Sequence, residues 1–430
     1  MSADEILISY GRGHLPLTLP AAARPTLIRK RPLPKLPDPH GAIADALENP
    51  IGAMPLGELA KNRRSACILI CDITRPVPNR LFLRPMLERL FASGVPLDQI
   101  TVLVATGLHR PNLDGELAEL VGDPWVFDHV RVENHYARDE AAHIDFGRTR
   151  TRGTPVKLDR RFVEADLRIA TGLVEPHFMA GWSGGRKVVA PGIAHHETIR
   201  TFHSARFMED PLAVQCNLVG NPLHEEQLEI VRMLGDIYAL NTVIDEDRDL
   251  VCVTFGEIIA SHQAAVDFVA AATMIAAPRR FSTIVTSSAG YPLDKTYYQT
   301  IKGMVTPLDI LEPGGTLIMV SACSEGFGSA EFREAQARLM ELGPDRFLAT
   351  LTAKSLAEVD EWQTEMQLKS MRLGRIELHT TGLTGDDRRL TGVEMIDDLS
   401  DAIERSIERS GDPHVAIIPE GPYVVPRFAP

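Results

Sequence analysis

Cysteine is scarce in this chain. Five thiols in 430 residues, at positions 67, 71, 216, 252 and 323, are odd in number and too few for a disulfide framework. Four of them lie in or beside apolar runs, so buried free thiols in a reducing compartment are expected. Cys67 and Cys71 stand four apart in a strand-like run, and no second pair completes a zinc knuckle. No apolar run approaches the ~20 residues of a membrane span. The opening MSADEILISYGRG has neither the basic nor the apolar region of a signal peptide. Positive charge is in deficit: 45 Lys and Arg against 58 Asp and Glu leave a net charge of −13. That balance argues against nucleic acid or an anionic membrane as the main partner. A cytoplasmic enzyme or binding protein is the expectation. Familiar fingerprints are missing too: there is no Walker A spacing, no G-x-G-x-x-G, no G-x-S-x-G, no H-E-x-x-H and no Cys-His signature. Internal repeats and low-complexity tracts are absent.

What is present is an ordinary globular composition, 44% hydrophobic and 24% charged, in a chain long enough for two or three domains. Residues 5–20 alternate like strands, and the proline-rich and basic 24–40 reads as an extended connection. GAIADALENP predicts a short helix ending at Pro50. Three short apolar runs, CILICD (67–72), ITVLVATG (100–107) and DLRIATGLV (166–174), have the character of buried parallel strands. Helical patterns alternate with them, one closed by Gly94. SHQAAVDFVAAATMIAAP predicts a helix, and Pro278 a boundary. A second α/β unit follows, with strands in FSTIVTSSAG, GGTLIMVSAC and RIELHTTG and helices over 329–342 and 353–372. The expected fold is α/β: two α/β domains with mainly parallel sheets and an active site in the interdomain cleft. The expected division is 1–275 plus a C-terminal return at 411–430 against 278–410.

Chemistry-bearing residues crowd into Glu175–His203, EPHFMAGWSGGRKVVAPGIAHHETIRTFH. Ser183-Gly184-Gly185-Arg186-Lys187 offers backbone N–H groups, a hydroxyl and two cations, which suits an anion better than a plain glycine turn. His177, His195, His196 and His203 are candidate bases or metal ligands. Ligands of open parallel sheets bind beyond the carboxyl ends of the strands. Asp72, Arg75, His109 and His177 all follow such ends and are expected in one crevice. Arg75, beside Thr74, suits a carboxylate; its bland alternative is a surface ion pair, for instance with Asp72. Gln299 and Lys302, three apart, share a helix face and could clamp a small acid. These residue types do not choose a reaction.

At these positions the chain resembles the nickel-pincer-nucleotide-dependent lactate racemase family. The matching pieces are DITRP (72–76), ATGLHRP (105–111), EPHFMAGWSGGRKVVAPGI (175–193), His203, YYQTIKGM (297–304) and Trp362. The resemblance implies racemisation or epimerisation of a 2-hydroxy acid, lactate or a larger one, by reversible hydride transfer to a nickel-pincer nucleotide. It implies His109 and His177 as the acid/base pair and His203 as the protein ligand to nickel. Lys187 is the implied cofactor tether, and Asp72, Thr74, Ser183, Gly184 and Gly185 are expected at the cofactor. Arg75, Gln299, Lys302 and Trp362 are expected at the substrate. Cofactor-synthesis proteins are the implied maturation partners. Other readings are a cofactor-independent two-base racemase, a non-catalytic carrier of the nickel cofactor, and a zinc hydrolase built on His177, His195 or His196, and His203.

Overall fold

The structure, a computed structural model, describes residues 6–429. The chain divides into two compact units. The first described here comprises Pro32–Phe202 and Asn217–Ala271. Its six-stranded sheet runs in the order Leu250–Glu257, Tyr238–Ile244, Leu167–Leu173, Ala66–Cys71, Ile100–Ala105, Arg131–Asn134. All neighbours are parallel except the edge strand Leu250–Glu257. The apolar runs become its central strands because both faces are covered. Side chains alternate across a strand, so Ile68 and Ile70 enter one core with Phe82, Met86 and Leu90 of the helix Asn79–Ala92. Cys67 and Leu69 enter another core with Val188, Val189, Ile230 and Val231. Each large side chain buried in this way contributes on the order of 1.5–3 kcal/mol.

The second unit comprises Met1–Arg31, His203–Cys216 and Ala272–Pro430. Its six-stranded sheet is all parallel, in the order Glu394–Ile396, Arg375–His379, Leu311–Val320, Phe281–Ser287, His414–Ile418, Arg24–Leu27. The helices Tyr297–Val305, Ala330–Leu342, Pro344–Thr352, Glu361–Leu373 and Leu399–Ser410 belong to it. The inserted segment 203–216 is anchored by Ala205, which packs with Leu339, Phe347, Leu351 and Leu368.

This division differs from the expected one. The C-terminal return at 411–430 is expected with residues 1–275, but His414–Ile418 lies inside the other sheet, hydrogen-bonded to Phe281–Ser287 on one side and Arg24–Leu27 on the other. Periodicity identifies a strand but not its neighbours. The connection expected over 24–40 therefore includes an edge strand. The helix expected over 353–372 begins at Glu361, and another helix occupies Pro344–Thr352. SHQAAVDFVAAATMIAAP forms the end of helix Ile258–Thr273 and then the strand Met274–Ala277. Among the described residues no helix is long and apolar enough to cross a membrane.

Candidate active site

In the unit built on Pro32–Phe202, two strand ends meet in one hydrogen-bonded pair. Asp72 follows Ala66–Cys71, and His109 lies in the loop after Ile100–Ala105. Asp72 Oδ2 is 2.5 Å from His109 Nδ1, while Oδ1 accepts from Thr74 N at 3.1 Å and Thr74 Oγ1 at 2.5 Å. Burial opposes the charge on Asp72. Its bond to His109, the His109 charge, Thr74 and Arg75 outweigh burial and hold the carboxyl below its ordinary value. A carboxylate only accepts, so His109 donates from Nδ1, and the neutral form of this tautomer has its lone pair on Nε2. The His109 side chain is 60% exposed, whereas Asp72 is buried. Asp72 and Thr74, expected at the cofactor, are thus both engaged in orienting a histidine.

His177 sits in a two-strand turn, Pro176–His177 against Gly181–Trp182. Gly181 has φ +76°, and a Cβ there would lie 2.3 Å from Asn217 O. His177 is buried, and its Nδ1 accepts from Ala180 N at 3.2 Å and Met179 N at 3.4 Å. A ring nitrogen that accepts is unprotonated, so neutral His177 carries its proton on Nε2. The two histidines therefore hold opposite tautomers, His109 with a lone pair at Nε2 and His177 with a hydrogen there.

The Ser183–Lys187 turn differs from the anion cradle expected of it. Three of its N–H groups are spent inside the protein: Ser183 N on Glu175 O, Gly185 N on Asn241 Oδ1, and Lys187 N on Gly184 O. The Ser183 hydroxyl donates to Leu173 O at 2.7 Å and accepts from Glu175 N at 3.0 Å. Arg186 points into the protein, donating to Ala180 O at 3.0 Å and lying 2.9 Å from His262 Nε2. Burial pulls its guanidinium down to about 9. Gly184 and Gly185 have φ +77° and +47°, and a Cβ on them would strike Val174 at 2.7 Å and the His262 ring at 2.8 Å. The glycines serve close packing, and the turn's product is the position of Lys187. Burial pushes the Lys187 ammonium down to about 7, with Arg75 and Arg186 adding to the effect and Cys71 and Asp72 opposing it. Arg75 pairs through Nη1 with Glu175 Oε1 at 2.8 Å.

The other unit holds the remaining candidates. His203 packs on Trp362 with ring centroids 4.5 Å apart, and Trp362 Nε1 donates to Tyr298 Oη at 3.3 Å. Gln299 and Lys302 lie on helix Tyr297–Val305, whose N-cap Thr296 accepts from Gln299 N. Gln299 Oε1 is buried with no hydrogen-bond partner, a cost of about 1–3 kcal/mol that a ligand hydroxyl would relieve.

His195 and His196 lie in a cluster of histidines. They form a ring-to-ring series with His143 and His135, centroids 4.2 to 5.1 Å apart. His135 is anchored on Asp159 and Ala194 O. Burial depresses His195 to about 4, which leaves it neutral. Among the described residues one group of three carboxylates gathers, Asp245, Asp247 and Asp249, and Lys35 Nζ is 2.7 Å from Asp247 and Asp249. Among the described residues no such close group includes His177, His195 or His196. Sequence reasoning missed Glu175 as the partner of Arg75, His262 behind the glycine turn, and Tyr298 beneath Trp362. Only Glu175 carried a signal, an acid at a strand end two residues before His177.

Comparison with known proteins identifies the family. Residues 10–215 match the lactate racemase N-terminal domain and residues 278–425 the lactate racemase C-terminal domain. A lactate racemase of Lactiplantibacillus plantarum is 31% identical over 386 residues, 89% of this chain and 90% of that protein. One of Thermoanaerobacterium thermosaccharolyticum is 28% identical over 437 residues, 98% and 99% of the two chains. The solved structure of the lactate racemase apoprotein from Thermoanaerobacterium thermosaccharolyticum has a TM-score of 0.91 at 26% identity, covering 98% of this chain and 100% of that one. A Thermotoga maritima crystal structure shares the fold, with a TM-score of 0.63 at 18% identity over 87% of this chain and 96% of that one. The family models span most of the sequence, so the chain belongs to the lactate racemase family and is an isomerase.

Proposed function

We propose that this enzyme inverts C2 of a 2-hydroxy acid, with lactate as the first candidate and larger hydroxy acids open, by reversible hydride transfer to a nickel-pincer nucleotide. The observation that carries this reading is the Asp72–His109 pair at two parallel strand ends, with Arg75 and a near-neutral Lys187 gathered beside Asp72. The residues present fit such a cofactor. Lys187 is an amine with a large unprotonated fraction at neutral pH, suited to a covalent tether. His203, backed by Trp362, is an imidazole suited to nickel. When bound, the cofactor supplies a hydride acceptor.

The chain's own residues supply the rest. Arg75 and Lys302 bind the substrate carboxylate, and Gln299 Oε1 accepts from its hydroxyl region. The C–H beside an ionised carboxylate is a weak acid, so proton removal at the hydroxyl is the easier task for a histidine. His109 Nε2 takes that proton, and Asp72 stabilises the imidazolium that forms. His177 faces the other enantiomer and serves as the second acid/base group. The cationic residues hold the planar 2-keto acid while its carbonyl turns.

The test uses enzyme co-expressed with cofactor-synthesis proteins and a substrate deuterated at C2. Retention of label in the inverted product is expected. Washout into solvent would instead mean a cofactor-independent two-base racemase. Bound nickel without inversion of any acid in a chiral panel would mean a carrier.

A further inference from the structure

Glu175 is the one acidic side chain of the Glu175–His203 stretch placed against a substrate-site residue, and the reaction gives it no role. Its carboxylate meets Arg75 Nη1 at 2.8 Å, with both side chains mostly buried, 18% and 24% exposed. Its backbone is gripped from both directions: Ser183 Oγ accepts from Glu175 N at 3.0 Å, and Ser183 N donates to Glu175 O at 3.0 Å. Ser183 is buried and tied to the strand by its bond to Leu173 O. Gly184 closes the arrangement, because a Cβ there would lie 2.7 Å from Val174 Cγ2 and 3.1 Å from Leu173 O. The glycine turn therefore fixes the Glu175 backbone, and the Glu175 carboxylate holds one nitrogen of Arg75.

A guanidinium is planar, with five N–H donors in a fixed fork. Holding Nη1 on a carboxylate whose backbone is fixed restricts the plane and the aim of the whole group. An arginine on a flexible stem pays side-chain entropy each time it engages an anion, and pre-orientation removes that cost. Taken with the carboxylate-binding role given to Arg75 above, on which this rests, we propose that Glu175 is a positioning residue that aims Arg75 at the substrate carboxylate. The Ser183-Gly184 turn belongs to this device. Ser183 thereby acquires a function that its spent hydroxyl denies it as a direct anion ligand.

The test combines kinetics and spectroscopy on cofactor-loaded enzyme. In Glu175→Gln the KM for the 2-hydroxy acid should rise about tenfold, the lower range for losing a charged hydrogen bond, while kcat stays within about threefold. Glu175→Asp should recover part of the loss. In an Arg75→Lys background, Glu175→Gln should change KM by less than about twofold, because the effect passes through Arg75. Independently of turnover, the Arg75 guanidinium N–H resonances should be protected from solvent exchange in wild type and lose that protection in Glu175→Gln. Unchanged protection, or a KM effect that multiplies in the Arg75→Lys background, would overturn the proposal. If Glu175→Gln fails to fold, the Glu175→Asp comparison and its resonances decide the same question. Wild type that inverts no 2-hydroxy acid, with the exchange result as expected, would overturn the functional reading and leave the positioning of Arg75 supported.

Discussion

Asp72 and Lys187 show how one small neighbourhood tunes two groups in opposite ways. Asp72 is buried yet stays charged because His109, Thr74 and Arg75 all favour its anion. Burial above all, with Arg75 and Arg186 adding to it, pushes the Lys187 ammonium down to about 7. An amine with a value of about 7 is half neutral at that pH, against roughly one part in a thousand or less for an ordinary lysine. The unloaded protein should therefore be acylated first at Lys187 by an amine-reactive reagent at pH 7, with mass spectrometry locating the adduct; preferential labelling of other lysines would contradict this. Asp72→Asn removes the acceptor that fixes the His109 tautomer and stabilises its imidazolium. Turnover of the loaded enzyme should fall by about 10²–10⁴, the usual share of a positioned acid/base group, with the cofactor still bound by its absorption spectrum. These pairings were half legible. Asp72, Arg75, His109 and His177 announce themselves by following strand ends, but which side chain grips which depends on torsions that spacing does not encode.

The Ser183–Lys187 turn carries its information in shape. Its composition reads as an anion loop, and the structure turns the same residues inward, with Arg186 buried, Ser183 bonded to the chain and the glycines packed against Val174 and His262. Gly185→Ala would force φ +47° on a residue with a Cβ and push that atom into the His262 ring. It should destabilise the protein by about 1–3 kcal/mol and slow acylation at Lys187, measured by denaturant unfolding and by labelling rate. Unfolding and labelling equal to wild type would show that the turn tolerates a side chain. The three buried strands were readable because parallel strands covered on both faces need continuous apolar runs. The helix expected over 353–372 was misplaced because its buried face is itself polar: Gln363, Thr364, Glu365 and Gln367 are buried in Glu361–Leu373. A polar helix sheltered by its neighbours leaves no hydrophobic period to follow.

For the whole chain, the decisive fact is that the second unit is stitched from three separated stretches. Its sheet places His414–Ile418 in an interior position, with Val415, Ala416, Ile417 and Ile418 fully buried. A chain ending at residue 411 loses those four side chains and leaves Phe281–Ser287 with an unpaired edge. At roughly 1.5–3 kcal/mol for each large side chain, the loss rivals the stability of a typical domain. The shortened chain should be insoluble or melt far below wild type, followed by circular dichroism and limited proteolysis. A soluble truncation with the wild-type melting temperature would show that the return strand is dispensable. The expected division put this strand in the wrong unit because a short buried strand carries the same pattern in any parallel sheet.

The amino-acid sequence by itself determined the α/β class, the positions of most strands, and the residues that carry the family resemblance. These are local properties: apolar runs, turn chemistry and the spacing of reactive side chains along the chain. Tertiary structure decided what depends on contacts distant in sequence. It paired Asp72 with His109 and Arg75 with Glu175, gave the two histidines opposite tautomers, buried Arg186, and carried the strand His414–Ile418 into the second unit's six-stranded sheet. The reason is physical: hydrogen bonds and ion pairs act over about 3 Å in space, and only the folded chain brings residues 72 and 109, or 75 and 175, within that reach.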